Sequence, residues 1–156
     1  MSADPTYLSE NFIHLSGAPG SPYTRKMLAL LRYRRLPYRY LVTQTQKAHL
    51  PTAKPALLPT FYFLGEDQTW QAHTDSTPLI RMLEQRHKGR SVLPPQPVFR
   101  LLDALVEDYF DEWLTKPMFH YRWSHPADVE RSATVVPLPL NLQCTPEELA
   151  WIDRKS

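Results

Sequence analysis

Ser21-Pro22-Tyr23-Thr24 stands where a short apolar segment, residues 12 to 16, passes through a Gly/Pro-rich bend into a helix-forming run. A redox protein would carry Cys-Pro-Tyr-Cys in such a place. The single cysteine of this chain is Cys144, which excludes an internal disulfide and any Cys-x-x-Cys redox or metal site. What remains at the helix mouth is a hydroxyl, and Ser21 followed by Pro22 is by itself the pattern of an N-cap with a first-turn proline. Two further places carry groups capable of chemistry. His14 lies on an apolar strand, where a satisfied core histidine is the plain reading. Residues 119 to 123, Phe-His-Tyr-Arg-Trp, look site-like, yet the aromatic exit of a packed helix is the more common reading of such a run.

The elements that must position these residues follow from periodicity and punctuation. Residues 12 to 16 predict a buried strand, and Met27, Leu28, Leu30 and Leu31 give the helix after Ser21 an apolar stripe. Pro37 and an Arg-rich end close it, and residues 38 to 43, alternating and rich in β formers, predict a second strand. After a loose segment with Pro51 and Pro55 come two strands joined by a turn near Gly65-Glu66-Asp67, with Pro59 at the start of the first. Ser76 is the expected N-cap of a helix carrying Pro78, Leu79, Ile80 and Leu83. Residues 89 to 96 have the composition of a linker, and residues 97 to 114 predict the longest helix, with an apolar face broad enough to need more than one partner surface. From Pro126 the expectation is an extended, proline-rich tail, then a helix opened by the capping box around Thr145, Pro146 and Glu148.

Bulk properties are those of a globular protein: 42% hydrophobic and 22% charged residues in 156, enough for one domain and part of a second. Sixteen prolines against four glycines indicate ordered turns, not a flexible linker. The net charge of +2 conceals an asymmetry, because no acid occurs between Glu10 and Glu66 while eight Lys and Arg residues do. Such a basic half favours an anionic ligand or nucleic acid, although Arg32, Arg34 and Arg35 also read as the solvated end of one helix. The N-terminal residues carry no basic flank or apolar run, so neither a secretory signal nor a membrane span is expected and the cytoplasm is the expected location.

Taken in order, Ser21-Pro22-Tyr23-Thr24-Arg25-Lys26, the Leu57-Leu58-Pro59-Thr60 stretch and Asp75-Ser76-Thr77-Pro78 resemble the N-terminal domain of the cytosolic glutathione S-transferase superfamily in its serine-type form. The resemblance implies an α/β fold: a thioredoxin-like domain at residues 11–88, ordered βαβαββα around a mixed sheet. A linker at 89–96 and an incomplete all-α C-terminal domain at 97–156 complete the expected organisation. It also implies a binding mode for glutathione as co-substrate, without a metal. A helix N-terminus favours a thiolate, and Ser21 would donate its hydroxyl hydrogen bond to the sulfur, with Tyr23 and Thr24 as second choices. Thiol-disulfide exchange is excluded here, whereas activation of a thiol that the ligand brings is not.

By the same likeness the Leu58 main chain pairs with the cysteinyl part, aimed by a cis Pro59. Asp75 meets the γ-glutamyl ammonium, Ser76 and its helix end take the neighbouring carboxylate, and Arg25 either counters the glycyl carboxylate or anchors its helix. Asp75-Ser76 is also open to a reading as capping alone. The implied activity is attack of the thiolate on a small hydrophobic electrophile near Tyr109, Trp113 and Tyr121, with a homodimer as one expected arrangement. The short helical part departs from the family pattern, which keeps a second reading in view: a non-catalytic binding or protein-interaction module. A nucleic-acid surface at residues 31 to 40 rests on local basicity and tyrosines alone and is the least expected.

Overall fold

The computed structural model describes residues 8–42 and 44–136. Two compact units divide the chain, the first ending at Arg90 and the second beginning at Ser91. The first contains β1 (Ile13–Ser16), α1 (Pro22–Arg34), β2 (Tyr38–Leu41), α2 (Gln44–Lys47), β3 (Thr60–Leu64), β4 (Trp70–His73) and α3 (Ser76–Arg86). Its sheet has the order β2-β1-β3-β4, with β1 parallel to β2 and β3 antiparallel to both β1 and β4. This is a thioredoxin-like arrangement with a mixed sheet.

Alternation along the strands separates two faces. Leu15 and Phe61 are register partners and fully buried, as are Met27 and Leu31 of α1 and Leu79 and Leu83 of α3, and together they form the core. The other parity puts His14 and Ser16 with Thr60 and Tyr62. There the His14 ring meets Trp70 edge-on at 5.2 Å, its Nε2 lies 2.9 Å from the Ser9 carbonyl, and Ser16 Oγ lies 3.4 Å from the Tyr62 hydroxyl. His14 is thus a core histidine, as its strand setting predicts.

The Arg-rich end of α1 departs from the solvated reading. Arg34 is buried, forms a 3.0 Å ion pair with Glu84 of α3, and donates to the carbonyls of His87 and Gly89. Arg35 ends the helix in a left-handed conformation at φ 55°, and the Leu36 N–H closes on the Leu31 carbonyl. Arg39 and Arg90 stack over Phe12 and Tyr33, and Arg32 bonds the Tyr38 hydroxyl. The basic, tyrosine-rich segment is therefore largely engaged with its own unit.

The second unit contains α4 (Pro97–Glu112), α5 (Thr115–Trp123) and α6 (Pro126–Val135). α6 corrects the expected extended tail: Pro126 occupies the first turn, where its missing N–H costs nothing, and Asp128 complements the positive helix end. The prolines that suggested an extended chain lie beyond residue 136, and they, Cys144 and the expected helix near Thr145 fall outside the described residues. No residue of α4 is buried among the described residues, so the broad apolar face is present and uncovered by its own unit. None of the described helices is long and apolar enough to cross a membrane.

Two outcomes test this packing. Arg34→Met should cost about 3–5 kcal/mol in urea unfolding, because it leaves the Glu84 carboxylate without its buried partner; a cost below 1 kcal/mol would return Arg34 to the solvated class. His14, His73 and His87 all have pKa values lowered first by burial, and further by Arg39, by Arg86, and by Arg34 and Arg86 respectively. Their folded-state values lie below the unfolded value of about 6.5, so the unfolded chain binds more protons as the medium is acidified. Thermal stability should hold above about pH 6.5 and fall below it, with a shallower fall in His14→Gln.

Candidate functional site

The bend before α1 is built by Gly17 and Thr24. A Cβ on Gly17 would lie 2.6 Å from the Thr24 side chain, and Thr24 Oγ1 accepts the Ala18 N–H at 3.3 Å. Thr24 is fully buried, so the expectation of a ligand contact there gives way to a structural one. Ser21 is the N-cap: its Oγ accepts the Thr24 N–H at 3.3 Å and its carbonyl accepts the Arg25 N–H at 3.1 Å. The cap uses the hydroxyl oxygen and leaves the hydroxyl hydrogen for an acceptor at the helix mouth. Tyr23 is half-buried beside it and Arg25 is exposed.

Register brings three segments to one end of the sheet. Ser16 pairs with Thr60, so the Leu58–Pro59 segment entering β3 lies beside the exit of β1 that leads to Ser21. Phe61 pairs with His73, so the exit of β4 that leads to Asp75 lies on the other side of the same entry. Lys26 Nζ donates to Ser76 Oγ at 3.2 Å and ties the first turn of α1 to the start of α3.

Each segment has its own local chemistry. The Leu58–Pro59 peptide is cis, as is Lys54–Pro55. Leu58 is part exposed, and its main-chain N–H and C=O have no partner among the described residues, whereas Leu57 bonds through both groups. An unpaired main chain at a strand entry is what an extended peptide can add to. Asp75 replaces Ser76 as the N-cap of α3: its Oδ1 accepts the Thr77 N–H at 3.2 Å, and Ser76 is the buried first residue of the helix. Asp75 is exposed and holds φ 73° and ψ 119°, strain that a non-glycine residue keeps only where its surroundings enforce it.

A cleft of about 350 Å³ opens beside Leu58, lined by the polar Ser16, Thr60 and Tyr62, the apolar Leu50 and Leu57, and Lys47. Sequence reasoning placed Lys47 only within the basic interval. Its ammonium is partly buried with no acceptor among the described residues, and burial lowers its pKa. The one signal that marked it is a solitary cation ending the otherwise uncharged α2, before the proline-rich loop.

Tyr109, Trp113 and Tyr121 belong to the second unit and are 52%, 58% and 64% exposed. They do not converge within that unit: its cleft is lined by Ser124, Pro126, Val129, Glu130 and Thr134, and Trp113 instead carries Lys116 over its ring at 3.8 Å. His120 of the aromatic segment bonds Ser124 at 2.9 Å. No group of three or more potential metal-binding His, Cys, Asp or Glu side chains occurs among the described residues.

Residues 15–91 match the family model of the glutathione S-transferase N-terminal domain. Among solved structures, the chain is similar to maleylacetoacetate isomerase from Anaeromyxobacter dehalogenans, a structure with dicarboxyethyl glutathione and citrate bound in its active site. The identity is 19% and the TM-score 0.53, a likeness of fold. The match covers 87% of this chain but 64% of that one, so this chain spans less than two thirds of the solved protein. No curated protein matches. The first unit, in which the family's motifs meet at one end of a thioredoxin-like sheet, is thereby a glutathione S-transferase N-terminal domain.

Proposed function

We propose that this chain binds glutathione across the sheet end defined by Ser21, Leu58 and Asp75, and that Ser21 holds the sulfur as a thiolate for attack on a small electrophile. The observation that carries the reading is the unpaired Leu58 main chain flanked by a capped but donor-bearing serine on one side and a strained, exposed aspartate on the other. A cysteinyl residue hydrogen-bonded to Leu58 as an added strand leaves the tripeptide's two ends pointing opposite ways. The γ-glutamyl end reaches Asp75, whose carboxylate meets the ammonium, and the start of α3, whose N–H groups favour the carboxylate. The glycyl end then runs to the far side of Leu58, where Lys47 stands in the cleft wall. This assigns the glycyl carboxylate to Lys47 and releases Arg25 from that role.

Activation at the sulfur is electrostatic. A free cysteine thiol has a pKa of about 8.5, and both the positive end of α1 and a donated Ser21 hydrogen bond favour the charged form. More thiolate is then present at neutral pH, and the protein supplies no sulfur of its own to compete. The similar solved isomerase, which holds dicarboxyethyl glutathione in its active site, supports such a site in this fold. A non-catalytic module remains the second reading, favoured by the exposed α4 face and by the absence of convergence among Tyr109, Trp113 and Tyr121 within their unit.

Calorimetry with glutathione, followed by a conjugation assay with a chloronitroaromatic electrophile, separates the two. Binding with turnover is the expected result, and binding without turnover would favour the module. Ser21→Gly keeps helix capping within a few tenths of a kcal/mol and removes the hydroxyl. It should lower the conjugation rate by about 100-fold, the scale of losing one preorganised donor to a reacting anion; an unchanged rate would remove Ser21 from catalysis. Asp75→Asn keeps a capping oxygen, so stability should stay within about 0.5 kcal/mol while glutathione binding weakens by roughly 10-fold or more. Unaltered affinity would leave Asp75 a cap alone.

A further inference from the structure

Resting on that reading, the polar groups of glutathione can be matched one by one. Asp75 takes the ammonium, the α3 end and Lys47 take the two carboxylates, and Ser21 takes the sulfur. Lys26 is held on Ser76. One cation at the site is then left over. Arg25 is exposed and makes no hydrogen bond or ion pair through its side chain among the described residues. It sits one turn from Ser21, whose carbonyl accepts its N–H, and side chains four apart on a helix share a face. Helical side chains lean toward the N-terminus, so the guanidinium is carried back toward the mouth of α1, where the sulfur is placed.

That position is unfavourable without an anion. A cation in the first turn opposes the helix dipole, Lys26 adds a like charge next to it, and α1 has no acid in its first turn. Nor does any acid occur between Glu10 and Glu66. Glutathione's ammonium and carboxylates are already matched, and its sulfur has the Ser21 hydroxyl and the helix end, so the anion left for Arg25 to meet is one on the other reactant.

We infer that Arg25 is a specificity residue for the electrophile, and that the preferred electrophiles carry a carboxylate a few ångströms from the carbon attacked by sulfur. The substrate class is acidic, in place of the purely hydrophobic one that the sequence resemblance implies. A planar guanidinium suits a carboxylate in bidentate geometry. For a chloronitrobenzoate whose carboxylate lies para to chlorine, the thiolate adds to the ring carbon bearing chlorine and forms the C–S bond. The C–Cl bond then breaks, and chloride leaves with its electron pair while the carboxylate stays on Arg25.

The test uses the full chain and a matched pair, this acid and its methyl ester, together with the two glutathione conjugates they form. Calorimetry on the conjugates requires no turnover. The acid conjugate should bind about 10-fold more tightly than the ester conjugate, the scale of one charge-assisted hydrogen bond. Arg25→Gln should bring that ratio to within about threefold of unity, and Arg25→Lys should recover part of it. Where turnover is measurable, kcat/KM should show the same preference and the same collapse. Equal binding of the two conjugates to the wild type, or an equal loss for both in Arg25→Gln, would overturn the inference. The equal loss would assign Arg25 to the thiolate itself, leaving the glutathione site intact. Absence of binding by glutathione and by both conjugates would instead remove the site and this inference with it.

Discussion

Strand β3 runs antiparallel to both of its neighbours, and the position of every proposed glutathione contact in the first unit follows from that. Because Ser16 faces Thr60 and Phe61 faces His73, the entry to β3 lies between the exits of β1 and β4. Each exit runs into a helix N-terminus within a few residues. Two positive helix ends and one unpaired stretch of main chain are thereby gathered at a single edge, although they are separated in the chain by tens of residues. A one-residue slip in the β3 register would turn every side chain of that strand to the opposite face and lose the core pairing of Leu15 with Phe61.

The same edge concentrates charge of one sign. Helix dipoles, Arg25, Lys26 and Lys47 are offset by Asp75 alone among the residues assigned to the site. Folding tolerates this because the adverse interactions lie at exposed or partly exposed positions, where solvent weakens them. The buried cation, Arg34, is kept at the far end of α1, where it pairs with Glu84 and donates to two carbonyls. α1 thus has an anchored C-terminus and an N-terminus with a hydroxyl proton to donate.

Much of this was legible from residue types. Ser21-Pro22 marked a helix start, Pro59 a strand entry, and the alternating β formers of residues 38 to 43 a second strand, because each depends on local sterics and capping. Asp75 against Ser76 was off by one residue: both types cap helices, and only the strained φ of Asp75 decides between them. Arg34 was misread because an arginine at a helix end is buried only when a particular facing residue, here Glu84, comes to meet it. Lys47 was missed because its cleft is formed by an irregular chain with no periodicity to read. α6 was hidden by attention to the prolines after it, although Pro126 and Asp128 are a proper helix opening. The aromatic trio was grouped through the activity that the resemblance implies, and a sequence cannot show whether side chains on different helices converge.

The central claim is that glutathione lies along the β3 entry, with its cysteinyl main chain on Leu58. The most direct measurement is an NMR titration of the assigned backbone amides with glutathione. The account predicts saturable shifts concentrated at the amides of Leu58, of the first turn of α1 and of the start of α3, with Lys47 following at the same ligand concentration. Shifts confined to other parts of the chain, or none at concentrations well above a millimolar dissociation constant, would contradict it.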